Sequence, residues 1–280
     1  MTEINASPYP NRHLLVSTDW VEKHREEQGI VLLDTRAKGY HEDHIPGAYW
    51  LDVQRLKDRS RHTFASADAV TGLLKSFGVT NDATIVVYDE GNSVLAARVF
   101  YVLEYYGLKD NVKLLHGGYT AWTAERRERS REVPAPKEGS PLSLSADPQL
   151  VTTKASIQAG LGERQLLDTR SFLEFTGEDK RSNRMAGHIK GAIHKEWSEA
   201  LGTPDDNGVV RFKGFHPLRR EFAAAGLDPA KTIVPYCQSN QRGAHSYFTL
   251  RLIGFPDIRP YEGSWEEWGN AENTEMAGSK

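Results

Sequence analysis

The sequence predicts an α/β protein made of two similar halves, each a central parallel sheet with helices on both faces. Three observations predict it. The chain repeats itself, its short apolar runs end in single polar residues, and strand-like and helix-like segments alternate.

The repeat is the strongest of the three. Leu32-Leu33-Asp34-Thr35-Arg36 recurs unchanged as Leu166-Leu167-Asp168-Thr169-Arg170. His44-Ile45-Pro46-Gly47-Ala48 returns as His188-Ile189-Lys190-Gly191-Ala192, after about ten extra residues that include Lys180, Arg181 and Arg184. Thr84-Ile85-Val86-Val87-Tyr88-Asp89 aligns with Thr232-Ile233-Val234-Pro235-Tyr236-Cys237. His116-Gly117-Gly118-Tyr119 aligns with Glu262-Gly263-Ser264-Trp265. Chance supplies one such block, hardly four in the same order. A duplicated domain follows, with a first domain over 12–130, a linker over 131–150 and a second domain over 151–270.

Each element has its own signal. Ser17-Thr18-Asp19 and Thr152-Thr153 are helix starts, giving helices over 18–28 and 152–160. Apolar patterning places further helices at 67–77, 93–106, 215–225 and 242–253. Strands are expected at 30–34, 84–88 and 112–115, then at 165–168, 232–236 and 258–261. The runs before Asp89 and Cys237 are continuously apolar, as in parallel strands covered on both faces. In such sheets ligands gather at the carboxyl ends of the strands, where both residues lie. The linker carries Pro134, Pro136, Gly139, Ser140, Pro141, Ser143 and Pro148 and reads as an extended, weakly ordered connector. From Asn270 onward the polar tail is expected to fray.

Composition narrows the function. The 280 residues carry 35 Lys and Arg against 38 Asp and Glu, a net charge of −3, which argues against nucleic acid as a partner. A single cysteine excludes a disulfide framework and a Cys-rich zinc site. His41 and His44 have no third ligand placed to join them, so no metal is expected. Met1 to Arg12 has no apolar core of a signal peptide, and no run reaches the ~18 apolar residues of a membrane span. A cytoplasmic protein without a membrane contact is the expectation.

Cys237 ends an apolar run and opens a polar loop of Gln238, Ser239, Asn240 and Gln241 that closes on Arg242. An inert buried thiol is the plain alternative, but such thiols sit inside apolar runs. A strand end turning tightly into a helix presents backbone N–H groups and a helix N-terminus, a concavity suited to anions. The same field and the Arg242 charge favour a thiolate nucleophile. Phosphoryl transfer and sulfane-sulfur transfer both use this arrangement. Cysteine phosphatases leave five residues between Cys and Arg, and here there are four. The shorter loop favours a single sulfur.

The chain resembles the tandem-domain rhodaneses, which include thiosulfate and 3-mercaptopyruvate sulfurtransferases. Tyr40-His41-Glu42-Asp43-His44-Ile45-Pro46-Gly47-Ala48-Tyr49-Trp50-Leu51 is similar to their amino-terminal signature. Ile258-Arg259-Pro260-Tyr261-Glu262-Gly263-Ser264-Trp265-Glu266-Glu267-Trp268 is similar to the carboxy-terminal one, departing at its first position. The resemblance spans roughly 12–270 and implies two tandem rhodanese-like domains, with the first inactive and the second carrying the catalytic Cys237. Asp89 at the sister position fits that division.

The resemblance further implies double displacement through a Cys237 persulfide, with a small-molecule sulfur donor, a thiophilic acceptor and no cofactor. Its loop looks most like that of bacterial thiosulfate sulfurtransferases. Ser239 also matches a serine of the mercaptopyruvate enzymes, which works with a His and an Asp matching His44 and Asp34 here. Those two residues are therefore candidates to face the second domain, although turn-fixing and strand-end hydrogen bonding are their plainer roles. A substrate-contacting Arg of several members is replaced by Glu174. Donor binding is then expected from the loop, Arg242, Arg181 and Arg184. A monomer or weak dimer is expected, and a carrier without turnover is the further alternative.

Overall fold

The computed structural model describes residues 9–137, 141–160 and 162–278. In the first half, strands β1 (Leu15–Val16), β2 (Ile30–Asp34), β3 (Tyr49–Trp50), β4 (Thr84–Tyr88) and β5 (Val112–Leu115) form one sheet. Their order is β1-β5-β4-β2-β3 and every pairing is parallel. In the second half, β6 (Arg164–Asp168), β7 (Ile193–His194) and β8 (Thr232–Tyr236) pair in the order β7-β6-β8, again parallel. Asp34 lies opposite Tyr88 and Asp168 opposite Tyr236, so the duplicated strands keep one register.

The expected strand at 258–261 is reduced to single bridges, Ile258 to Ile233 and Tyr261 to Thr152. The backbone still runs alongside β8, since Arg259 and Tyr261 donate to the Ile233 and Pro235 carbonyls. Pro235 brings no N–H to this junction, and the Arg259 carbonyl accepts the Thr152 hydroxyl at 2.7 Å. Proline breaks the ladder without moving the chain.

Helices follow α1 (Thr18–His24), α2 (Ala67–Ser76), α3 (Val94–Tyr105), α4 (Gly118–Ala124), α5 (Lys154–Gln158), α6 (Phe172–Thr176), α7 (Phe215–Ala224), α8 (Gln241–Leu252) and α9 (Ser264–Trp268). Ser17, Ser66, Thr153 and Ser171 cap α1, α2, α5 and α6 through their hydroxyls. Two expected helices are shorter than their sequence signals. Helix α1 gives way to a turn ending in Gly29, at φ +86°, and α5 starts late because Thr152 is taken by the sheet edge. Residues 141–147 are extended as expected, with Ser145 and Asp147 donating to Tyr106 and Tyr105 of the first half. Gly139 and Ser140 of the expected connector lie outside the described residues. The tail does not simply fray, since Met276–Ala277 pairs with His188–Ile189 and Trp268 donates to the Glu275 carbonyl.

Strand alternation decides the layering. Leu33, Ile85, Val87, Leu167 and Ile233 point into a core shared by both halves, whereas Leu32, Val86, Leu166 and Val234 face separate outer cores. Helices α3 and α8 are buried on nearly all sides and pack along each other through that shared core. Phe100 meets Phe248 edge to face at 4.9 Å, and burial of each ring contributes ~1.5–3 kcal/mol. Glu104 accepts from the Tyr247 hydroxyl and from Arg251 Nη2 at 2.7 Å. The two halves therefore join through apolar surface locked by charged hydrogen bonds.

Candidate active site

Helices α3 and α8 start at the ends of the duplicated strands β4 and β8. At the first of these ends sits Asp89. Its carboxylate accepts from the N–H groups of Gly91, Ser93, Leu95 and Ala96, at 2.9, 3.0, 3.0 and 3.3 Å. The first repeat thus fills its own cradle of donors with a side-chain anion. Burial pushes the Asp89 carboxyl up, opposed by those four hydrogen bonds.

At the second end sits Cys237, 1% exposed, with Asn240 as the residue before α8. Asn240 adopts φ +61°, and no side chain caps the start of α8. The N–H groups of its first turn therefore have no side-chain acceptor of the kind Asp89 supplies to α3. A Cβ on Gly243 would lie 2.2 Å from Asn240 Oδ1, so a larger residue there would have to push the Asn240 side chain aside. The Cys237 N–H donates to Ser264 Oγ at 3.3 Å, and its carbonyl accepts from Trp265 at 2.9 Å.

The loop is tied from several sides. Gln238 and Asn183 exchange two amide hydrogen bonds of 2.8 and 3.0 Å, which docks the extra segment of the second repeat on the loop. The Ser239 carbonyl accepts from Lys57 Nζ at 3.0 Å, and Lys57 also lies 3.5 Å from Glu266. Asn240 donates to Glu262 at 2.8 Å, and Glu262 is held by both terminal nitrogens of Arg98 at 2.7 and 2.6 Å. Lys57 and Arg98 come from the first repeat. Burial alone would lower the Arg98 pKa, but Glu262 and Cys237 together raise it and keep it charged. Gln241 opens α8 and is half-buried.

Arg242 lies close enough to Cys237 for the two to interact directly. Its other side meets Glu174 through a bidentate pair of 2.7 and 3.0 Å. Burial opposes its charge, yet Glu174 and Cys237 outweigh burial and raise its pKa. Arg181 is half exposed and its Nε lies 3.0 Å from Glu174. Arg184 is 61% exposed and lies 3.7 Å from Glu272. Among the described residues, neither bonds the loop directly.

His44 and Asp34 are corrected as residues facing the second repeat. The His44 ring nitrogens bond the Tyr40 and Glu132 carbonyls at 2.8 and 3.0 Å. The Asp34 carboxylate is filled by Arg36, through its backbone N–H and two guanidinium nitrogens. Both are fully buried in the first repeat, so no Ser239–His44–Asp34 relay is assembled. Residues beside them reach the junction instead. Arg36, Lys38, Asp89, Glu90, Trp197 and Arg242 line a cleft of about 460 Å³ between the repeats.

Sequence reasoning missed Lys57, Arg98, Asn183 and Glu262. Glu262 had a signal, because it takes the place of His116 in the repeat. The other three depend on docking. Among the described residues, no group of three or more His, Cys, Asp and Glu is placed to hold a metal, and no helix is long and apolar enough to cross a membrane.

The family model for the rhodanese-like domain matches twice, at residues 17–125 and 153–271. The chain is 34% identical over 277 residues to a protein of Corynebacterium glutamicum named thiosulfate sulfurtransferase, covering 94% of this chain and 89% of that one. It is 34% identical over 285 residues to the sulfur carrier protein TtuD of Thermus thermophilus, covering 96% and 98%. Its fold is similar to that of the anaerobic ergothioneine biosynthesis enzyme from Chlorobium limicola, with TM-score 0.83 and 22% identity over 96% of this chain and 71% of that one.

Proposed function

The chain belongs to the rhodanese-like domain family, and on that premise we propose that it moves sulfane sulfur from thiosulfate to a thiophilic acceptor through Cys237. The observation that carries this reading is the contrast between the duplicated loops. Asp89 closes one cradle with its own carboxylate, whereas Cys237 leaves the donors of the other for an incoming group.

In the first step the Cys237 thiolate attacks the outer sulfur of thiosulfate. A new S–S bond forms, the S–S bond of thiosulfate breaks, and sulfite leaves with the electron pair. Arg242 and the N–H groups opening α8 favour the negative charge that then rests on the persulfide. In the second step a nucleophile, such as cyanide or a thiol, takes the outer sulfur and restores the thiolate. Lys57, Arg98 and Gln238 act by fixing the loop. The name of the Corynebacterium relative supports thiosulfate as donor.

Intact-mass measurement after incubation with thiosulfate tests this directly. Wild type gains one sulfur atom and Cys237→Ser gains none; an unchanged wild-type mass overturns the proposal. Steady-state comparison with 3-mercaptopyruvate tests the donor, and a clear preference for mercaptopyruvate overturns thiosulfate. The absence of a Ser239–His44–Asp34 relay speaks for thiosulfate. The name of the Thermus relative supports a second reading, a sulfur carrier that holds the persulfide for another protein. Loading without measurable turnover to cyanide would favour it.

A further inference from the structure

Each cation that holds or enters the Cys237 loop already faces a carboxylate. Arg98 meets Glu262 at 2.6 Å, Lys57 lies 3.5 Å from Glu266, and Arg242 meets Glu174 at 2.7 Å. Glu174 differs from the other two because its partner, Arg242, closes the Cys237 loop and is the cation whose charge acts on the Cys237 sulfur. It is also fixed in place. Its Oε2 accepts from the Ser171 N–H and hydroxyl at 3.2 and 3.0 Å, completing the capping box of α6. On a further side Arg181 Nε lies 3.0 Å from Oε1. An anion arriving at Arg242 cannot displace this carboxylate without undoing the start of α6. Burial would raise the Glu174 carboxyl, but Arg242 and Ser171 outweigh it and hold it at about 2.

We propose that Glu174 is a positioning residue that sets donor specificity, weakening the loop's preference for dianionic thiosulfate so that monoanionic sulfane-sulfur donors compete with it. The inference rests on the persulfide chemistry proposed above for Cys237. A guanidinium backed by a carboxylate acts on a donor as a dipole more than as a unit charge. The second negative charge of a dianion then gains little attraction, while its removal from water still costs free energy. An alkanethiosulfonate carries the same reacting S–S bond with one oxygen anion replaced by an alkyl group. With methanethiosulfonate, the Cys237 thiolate bonds the outer sulfur, the S–S bond breaks, and methanesulfinate leaves with the electron pair. Charge balances, with two negative charges on each side.

The test compares KM and kcat for thiosulfate and methanethiosulfonate in wild type and Glu174→Gln. Glutamine can keep the capping box, so α6 is retained. The expected result is a fall in the thiosulfate KM on the order of tenfold, the scale of one unmasked charge. The methanethiosulfonate KM should fall only about threefold, in proportion to its single charge. Adding Arg242→Gln should erase the gain for thiosulfate. Equal shifts for both donors, or none, overturn the proposal. If Glu174→Gln fails to fold, wild type alone decides. A ratio of the two KM values nearly independent of salt fits a charge-balanced loop, and a thiosulfate KM that climbs steeply with salt overturns it. Failure of both donors to load Cys237, read by intact mass, overturns the sulfur-transfer reading itself; loading with an unshifted donor ratio overturns only the role of Glu174.

Discussion

Arg98 of the first repeat grips Glu262 of the second through two hydrogen bonds, with both side chains buried. Glu262 passes that grip to Asn240, the residue that precedes α8. The Cys237 loop is therefore shaped by a side chain from the half that lacks the cysteine. Removing one partner of such a pair leaves a buried charge alone. Arg98→Met should cost about 3–5 kcal/mol in denaturant unfolding. The double variant Arg98→Met/Glu262→Gln should regain most of that loss. A single variant as stable as wild type would contradict this account.

Lys57 gives a second, gentler handle. Its tie to the Ser239 carbonyl positions the loop without crossing the core. In Lys57→Met, sulfur loading of Cys237 should slow roughly tenfold, as expected for a small displacement of reacting groups. Rapid-mix loading followed by intact mass measures it. Unfolding stability should fall by only about 1 kcal/mol.

Much of this site was legible in the sequence, and the missing part has one cause. Cys237 and Arg242 lie in one local motif whose spacing exposed them, and the departure at Glu174 came from the resemblance to the rhodaneses. Lys57 and Arg98 carry no local signal, because their partners lie in the other repeat. Docking decides them. His44 and Asp34 failed for the opposite reason: their motif is visible, but hydrogen bonds to Arg36, Tyr40 and the Glu132 carbonyl of the linker use up their polar atoms. The strand expected at 258–261 was misread because apolar pattern does not register the donor that Pro235 lacks.

Acid should weaken the junction between the halves. His116 and His245 stack near Phe212, with centroids at 6.2 and 5.1 Å, and burial drives both pKa values down to about 3. Arg211 adds to the depression of His116, and the Asn92 backbone partly offsets that of His245. In the unfolded chain both rings take up protons near pH 6.5, so between 6.5 and 3 the unfolded state binds more. The stability they contribute is complete above pH 6.5 and is lost as pH falls toward 3. The unfolding free energy extrapolated from urea titrations should drop over that range by several kcal/mol in total. His245→Phe should flatten the dependence, and an unchanged slope would contradict the assignment.

Asp89→Ala should destabilise the first repeat by about 2–4 kcal/mol, since four backbone donors lose their shared acceptor. Hydrogen exchange at Gly91, Ser93, Leu95 and Ala96 should quicken with it. Loading of Cys237 at low denaturant should continue, because the second loop keeps its own supports.

That same carboxylate has a consequence for binding stoichiometry. An acceptor tethered by its own backbone competes at an effective concentration that free anions in solution do not match. Thiosulfate, sulfite and phosphate alike are shut out of the first cradle, however much is added. Anion titration of this duplicated chain should therefore show a single step, with the twin loop serving as a permanently saturated copy of the working one.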